Sequence, residues 1–146
     1  MKTYDKRDIA VELLDAAVSE HLDYGRYFAA YNLAAVAEEL LSKFLLIDGK
    51  SDSAKSAIGM VKAMSCALGH PEGEDKTWRK ILFTLKNRIK HMDSKNDRYV
   101  DANIEVSARQ KILDAVTNLE RLGQRRSKPA DRFIEHLLQR RSSAAT

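Results

Sequence analysis

Apolar residues recur at helical spacing along almost the whole chain. Ile9, Leu13, Ala16 and Ala17 form an i, i+4, i+7, i+8 stripe that predicts a first helix over about residues 4–21. Similar stripes predict helices over about residues 26–47, 51–68, 75–92 and 105–122, and a short helix beginning at Pro129. Helices of this length with short connections favour an all-α fold. We expect a four-helix up-and-down bundle with one or two additional short C-terminal helices.

The composition is typical of one globular domain. The chain has 146 residues, of which 44% are hydrophobic and 32% are charged. We expect residues 1–140 to form a single helical-bundle domain and residues 141–146 to form a disordered C-terminal tail. The only cysteine, Cys66, cannot form an internal disulfide, and its place among Ala and Met predicts a small buried hydrophobic side chain.

Neither end of the chain nor its interior carries a targeting or membrane signal. The N-terminus has no apolar segment, and no run approaches the roughly 18 apolar residues that a membrane span needs. The sequence therefore predicts a cytoplasmic protein without a membrane partner.

Charge is distributed unevenly between the two halves of the chain. Residues 1–75 carry 8 basic and 13 acidic side chains, whereas residues 76–146 carry 17 and 8. A basic face of this kind raises the local concentration of phosphate-bearing partners, and Arg125 and Arg126 are candidates to line it. The alternative is a solvated basic segment without a partner.

Several enzyme classes have no motif in this chain. The sequence lacks G-x-G-x-x-G, G-x-x-x-x-G-K-[ST], G-x-S-x-G and H-E-x-x-H. Glu38 and Glu39 have no histidine three residues later, as a di-iron bundle would require, and the four histidines lie in different segments. We therefore expect neither a metal site nor a cofactor.

The candidate chemistry lies at the end of the predicted fourth helix. Asn87 and His91 are four residues apart and share one helical face, opposite the core face that includes Leu85, Ile89 and Met92. Such a pair suits a phosphate or a nucleobase, and an imidazole beside cations also suits metal-independent RNA cleavage. Alternatively, lysine and histidine are there because the helix dipole favours cations in the last turn. The flanking residues on the outward face are Lys80, Phe83 and Lys90.

Three segments carry a resemblance to a known superfamily. Residues 34–41 (AAVAEELL), residues 87–91 (NRIKH) and the final helix around Phe133 resemble small bacterial and phage helical proteins with an N-x-x-K-H signature, and through them the HEPN superfamily. The resemblance covers about residues 26–140. The resemblance implies a small helical bundle that forms homodimers. Many members of the superfamily are metal-independent ribonucleases of toxin–antitoxin and phage-defence systems.

The superfamily's catalytic pattern of arginine, a polar residue and histidine falls on Lys86, Asn87 and His91. Lys86 departs from that pattern because an ammonium lacks the planar bidentate fork of a guanidinium. Arg88 carries that fork but lies about 100° around the helix from Asn87.

Two functions are therefore consistent with the sequence. In the first, which Lys86 favours, the chain is a degenerate, non-catalytic HEPN-like factor that binds phosphate or RNA, or a protein partner. In the alternative it is a metal-independent endoribonuclease: His91 acts as general acid or base across a homodimer interface, Asn87 positions either His91 or the phosphate, and Lys86 and Lys90 neutralise the transition state.

Overall fold

Every regular element of the described chain is helical. A computed structural model describes residues 1–67, 84–89 and 91–144, and no strand occurs within these ranges. The elements are α1 (Lys6–Leu22), α2 (Tyr27–Ile47), α3 (Ser53–Ala67), α4 (residues 84–89), a 3₁₀ turn (Lys95–Arg98), α5 (Ile104–Arg121) and α6 (Lys128–Ala144). The all-α prediction is confirmed, and the bounds of α1, α2 and α5 agree with those predicted to within two residues.

Local capping explains where these helices begin and end. The Asp5 carboxylate accepts the Arg7 backbone N–H at 2.8 Å at the start of α1, and Gly25, with φ of 63°, follows its end. The Asp52 carboxylate accepts the Lys55 N–H at 2.7 Å and so caps α3. These caps use residues close in sequence, which is why the helix bounds could be predicted.

The core is built around α2. This helix packs against both α1 and α5, while α6 packs on α1 and α3 packs on α5. Four alanines of α2 are buried, and their small side chains allow neighbouring helices to approach closely. The larger side chains that fill the core are Leu14, Val18, Leu41, Ile112, Leu119 and Phe133.

The C-terminal helix is longer than predicted. α6 has 17 residues, as many as α1, and residues 141–144 form its end although the sequence placed them in the tail. Phe133, Ile134 and Leu137 of α6 pack into the core cluster, which gives the helix an apolar face long enough to support it. Among the described residues, no helix combines the length and the hydropathy needed to cross a lipid bilayer.

Four residues predicted to lie inside are exposed. Ile9 and Ala16 of the predicted α1 stripe are exposed because the buried stripe of this helix begins one position later, at Ala10. Cys66 is exposed because the buried residues of α3, Ala54 and Ile58, lie in its first half. Met92 is exposed because it lies in the non-helical residues 91–93 rather than on the core face of α4.

Replacement of Phe133 with alanine should destabilise the fold strongly. The Phe133 side chain is fully buried and meets the His21 ring edge-on at 5.9 Å between centroids. The cavity left by a Phe→Ala change in a core typically costs about 3–5 kcal/mol in the free energy of unfolding. Denaturant titration of Phe133→Ala measures this loss. Phe28→Ala is the matched control, because Phe28 is 49% exposed, and equal losses in the two variants would contradict the assigned core.

Candidate functional site at helix α4

The apolar face of α4 fixes this helix to the bundle. Leu85 and Ile89 pack against a cluster of buried residues contributed by α2 and α5. The prediction that both lie on the core face is therefore confirmed. The cluster consists of Ala30, Tyr31, Ala35 and Ala108, and Tyr27 and Ile104 also pack against it.

The opposite face of α4 presents a polar surface. Asn87, Arg88 and His91 are all exposed, and the His91 backbone N–H donates to the Asn87 carbonyl oxygen at 3.0 Å. Asn87 and His91 therefore lie one helical turn apart, as their spacing predicts. Lys80, Phe83 and Lys90, which the sequence placed beside them, lie outside the described residues.

Lys86 lies in a different environment from its neighbours. Its side chain is only 15% exposed, and its ammonium forms an ion pair with the Glu39 carboxylate of α2. Lys43 Nζ lies 3.2 Å from the other oxygen of the same carboxylate. The hydrogen bond from Lys86 is the main reason that the pKa of Glu39 lies below its ordinary value. The positive charge of Lys86 is therefore already balanced within the molecule.

Sequence reasoning missed the role of Glu39. It weighed this residue only as a metal ligand, although Glu39 and Lys43 stand at the i, i+4 spacing that brings opposite charges together on a helix. That spacing is a usable signal for Glu39. The pairing with Lys86, 47 positions away, has no local signature.

Lys86 and Asn87 also line a cavity of about 390 Å³ between α4, α2 and the start of α3. Three carboxylates line it as well, those of Glu38, Glu39 and Asp52. Carboxylates repel phosphate, so an anionic ligand is disfavoured inside this cavity and favoured on the outer face of α4.

Two of these carboxylates belong to a buried polar cluster. Glu38 is 3% exposed, and Lys111 Nζ of α5 lies 3.6 Å from its carboxylate. Burial raises the pKa of Glu38, and Lys111 opposes this shift. The Asp52 carboxylate accepts one hydrogen bond from the Ser42 hydroxyl of α2 and another from the Lys55 backbone N–H at the start of α3. Asp52 therefore connects these two helices. The acidic wall is thus part of the framework of the bundle.

The predicted basic face, with Arg125 and Arg126 as its candidates, is partly balanced by acidic groups. Arg126 lies 3.3 Å from Glu120 and 2.8 Å from Asp131, in the connection between α5 and α6. Arg125, in the same connection, is exposed. Further along α6, Arg132 pairs with Asp23 and Arg140 with Glu105. Such pairing reduces the positive electrostatic potential that this basic face can offer to phosphate.

Within residues 1–67, 84–89 and 91–144, no three His, Cys, Asp or Glu side chains are grouped so that they could hold a metal ion. No family model, curated protein or solved structure matches the chain. The function is therefore inferred from the geometry around α4.

The Glu39–Lys86 ion pair should be measurable by a double-mutant cycle. Glu39→Gln, Lys86→Met and the double variant, compared with the natural chain at neutral pH, should give a coupling of about 0.2–1 kcal/mol, because Glu39 is 47% exposed. A parallel cycle with Lys43→Met is the control and should give a smaller coupling, because Lys43 is 66% exposed.

The same coupling should depend on pH with a defined sign. Since Lys86 lowers the pKa of Glu39 in the folded state, the stabilisation is present above the ordinary glutamate pKa and is lost as the pH falls through the lowered value. Denaturant titrations at neutral and acidic pH measure this change. A coupling that grows in acid would contradict the assigned pair.

Proposed function

We propose that the chain is a degenerate HEPN-like factor that binds single-stranded RNA through the outer face of α4 without cleaving it. The binding residues are Asn87, Arg88 and His91. The proposal includes a four-helix up-and-down arrangement of the main helices and a homodimer in which the two copies of this helix end lie close together. It also places the protein in the cytoplasm of a bacterium or phage-infected cell, in a defence or conflict setting.

The ion pair between Lys86 and Glu39 is the observation that carries this proposal. In the superfamily's catalytic pattern, the cation at this position must be free to neutralise the charge that develops on the scissile phosphate. Here the Lys86 side chain is mostly buried, and its ammonium is balanced by a carboxylate that repels phosphate. Lysine also lacks the fork of arginine. These features support binding without turnover.

The outer face of α4 has the groups that RNA binding requires. Arg88 offers a guanidinium that can donate two parallel hydrogen bonds to a phosphate. Asn87 offers an amide with both donor and acceptor atoms. The side chains of Asn87, Arg88 and His91 are all exposed. Leu85 and Ile89 hold the helix on the core, so these groups are presented on a fixed base.

One observation favours the second candidate, a metal-independent endoribonuclease. His91 and Asn87 lie one turn apart and are both exposed, so the imidazole could act as general acid or base beside a positioning amide. In this candidate the reaction takes place across the homodimer interface.

A single RNA experiment separates the two candidates. We expect a short, labelled, unstructured RNA to bind in the presence of a metal chelator, with an affinity that falls as salt rises. Arg88→Ala should weaken binding more than His91→Ala, because only the guanidinium can donate two parallel hydrogen bonds to one phosphate. Arg7→Ala is the control and should bind normally, because Arg7 is an exposed arginine of α1 that pairs with Asp5. Fluorescence anisotropy measures binding, and a denaturing gel measures cleavage.

The gel decides between binding and catalysis. Intact RNA throughout is the expected result. Cleavage by the natural chain that disappears in His91→Ala would establish the ribonuclease instead. Absence of RNA binding at low salt would overturn the proposal and leave a protein as the partner of this surface.

A further inference from the structure

A second cavity lies between α5 and α6, on residues that the proposed RNA surface does not use. Its volume is about 570 Å³, within the range of small-molecule sites. Apolar side chains from both helices form its wall, and one of them, Leu138, is 57% exposed. The apolar residues of this wall are Leu113, Ile134, Leu137 and Leu138.

Two arginines line the same cavity. Arg109 of α5 and Arg140 of α6 both pair with one oxygen of Glu105, at 3.9 Å and 3.1 Å respectively. Two guanidinium groups thus share a single carboxylate, which leaves one positive charge in excess beside the apolar wall. A second carboxylate placed there would balance that charge.

The length of the cavity favours a small molecule over a partner helix. On α5 the lining residues run from Arg109 to Leu113, which spans roughly 6 Å at 1.5 Å per residue. On α6 they run from Ile134 to Arg140, which spans roughly 9 Å at the same rise. A docked helix would contact fewer than two turns along this wall, whereas a medium-length alkyl chain fits its full length.

We propose that the α5–α6 cavity binds a medium-chain alkyl carboxylate. The alkyl chain lies on the apolar wall, and the carboxylate accepts hydrogen bonds from Arg109 and Arg140. Both arginines remain partly exposed, so the carboxylate enters without displacing a buried group. The site is independent of the RNA-binding surface on α4.

His21 supplies a reporter next to this site. Its imidazole is 5% exposed, and its Nδ1 atom has no hydrogen-bond partner in the described part of the chain. Burial lowers the pKa of His21, and the charged or titratable groups that act on it are Glu105 and Arg109 of α5 and His136 and Arg140 of α6. A bound carboxylate near the two arginines adds negative charge here and should raise that pKa.

Titration of the full chain with decanoate tests the proposal. We expect saturable binding by calorimetry, a shift of the His21 ring signals by NMR, and binding of decan-1-ol at least about tenfold weaker, because the charged hydrogen bonds are lost. Arg140→Gln should weaken decanoate binding by about tenfold or more for the same reason. Arg132→Gln is the matched control: it removes an equally exposed arginine of α6 that does not line the cavity.

Four results would overturn the proposal. Equal affinity for decanoate and decan-1-ol would show that the carboxylate is not recognised. Equal weakening by Arg140→Gln and Arg132→Gln, or binding without a change at His21, would place the ligand elsewhere. Failure of decanoate to bind, combined with binding of an acidic amphipathic peptide, would assign the cavity to a protein partner.

Discussion

Two consecutive glutamates of α2 each form an ion pair with a different neighbouring helix, in addition to the apolar packing that holds these helices on α2. Glu38 is buried, where a carboxylate is costly unless a cation meets it, whereas Glu39 lies beside it at the exposed edge of α2. Glu38 meets Lys111 of α5, and Glu39 meets Lys86 of α4. Adjacent residues on a helix point about 100° apart. The two ion pairs therefore connect the same turn of α2 to two different helices, α5 and α4.

This arrangement determines what α4 can present to a ligand. With Lys86 turned toward Glu39, its positive charge faces the bundle, and the groups left exposed are Asn87, Arg88 and His91. The same carboxylates make the inner cavity unfavourable for anions. Binding on the outer face is therefore the function that best agrees with the packing of the helix. The α5–α6 cavity has the opposite character, because there the arginines outnumber the acid that pairs with them.

Features that depend on local sequence were predicted well. Helix bounds follow from caps such as Asp5 and Gly25, and the outward direction of Asn87 follows from its spacing to Leu85 and Ile89. Features that depend on distant contacts were not predicted. The partner of Lys86 lies 47 positions away, and Lys111 is still further from Glu38 in sequence. The inward face of α1 was misplaced by one position because Leu13 and Leu14 are adjacent, so apolar residues at helical spacing fit a stripe through either of them.

Backbone hydrogen exchange tests the anchoring role of Glu39 most directly. In Glu39→Gln, loss of the ion pair should accelerate exchange in α4, while the amides of α1 and α5 keep their protection, because those helices are held by the separate core cluster. Faster exchange confined to α4 is the predicted result. Unchanged exchange in α4, or equal acceleration in all helices, would contradict the claim that this glutamate positions the candidate site.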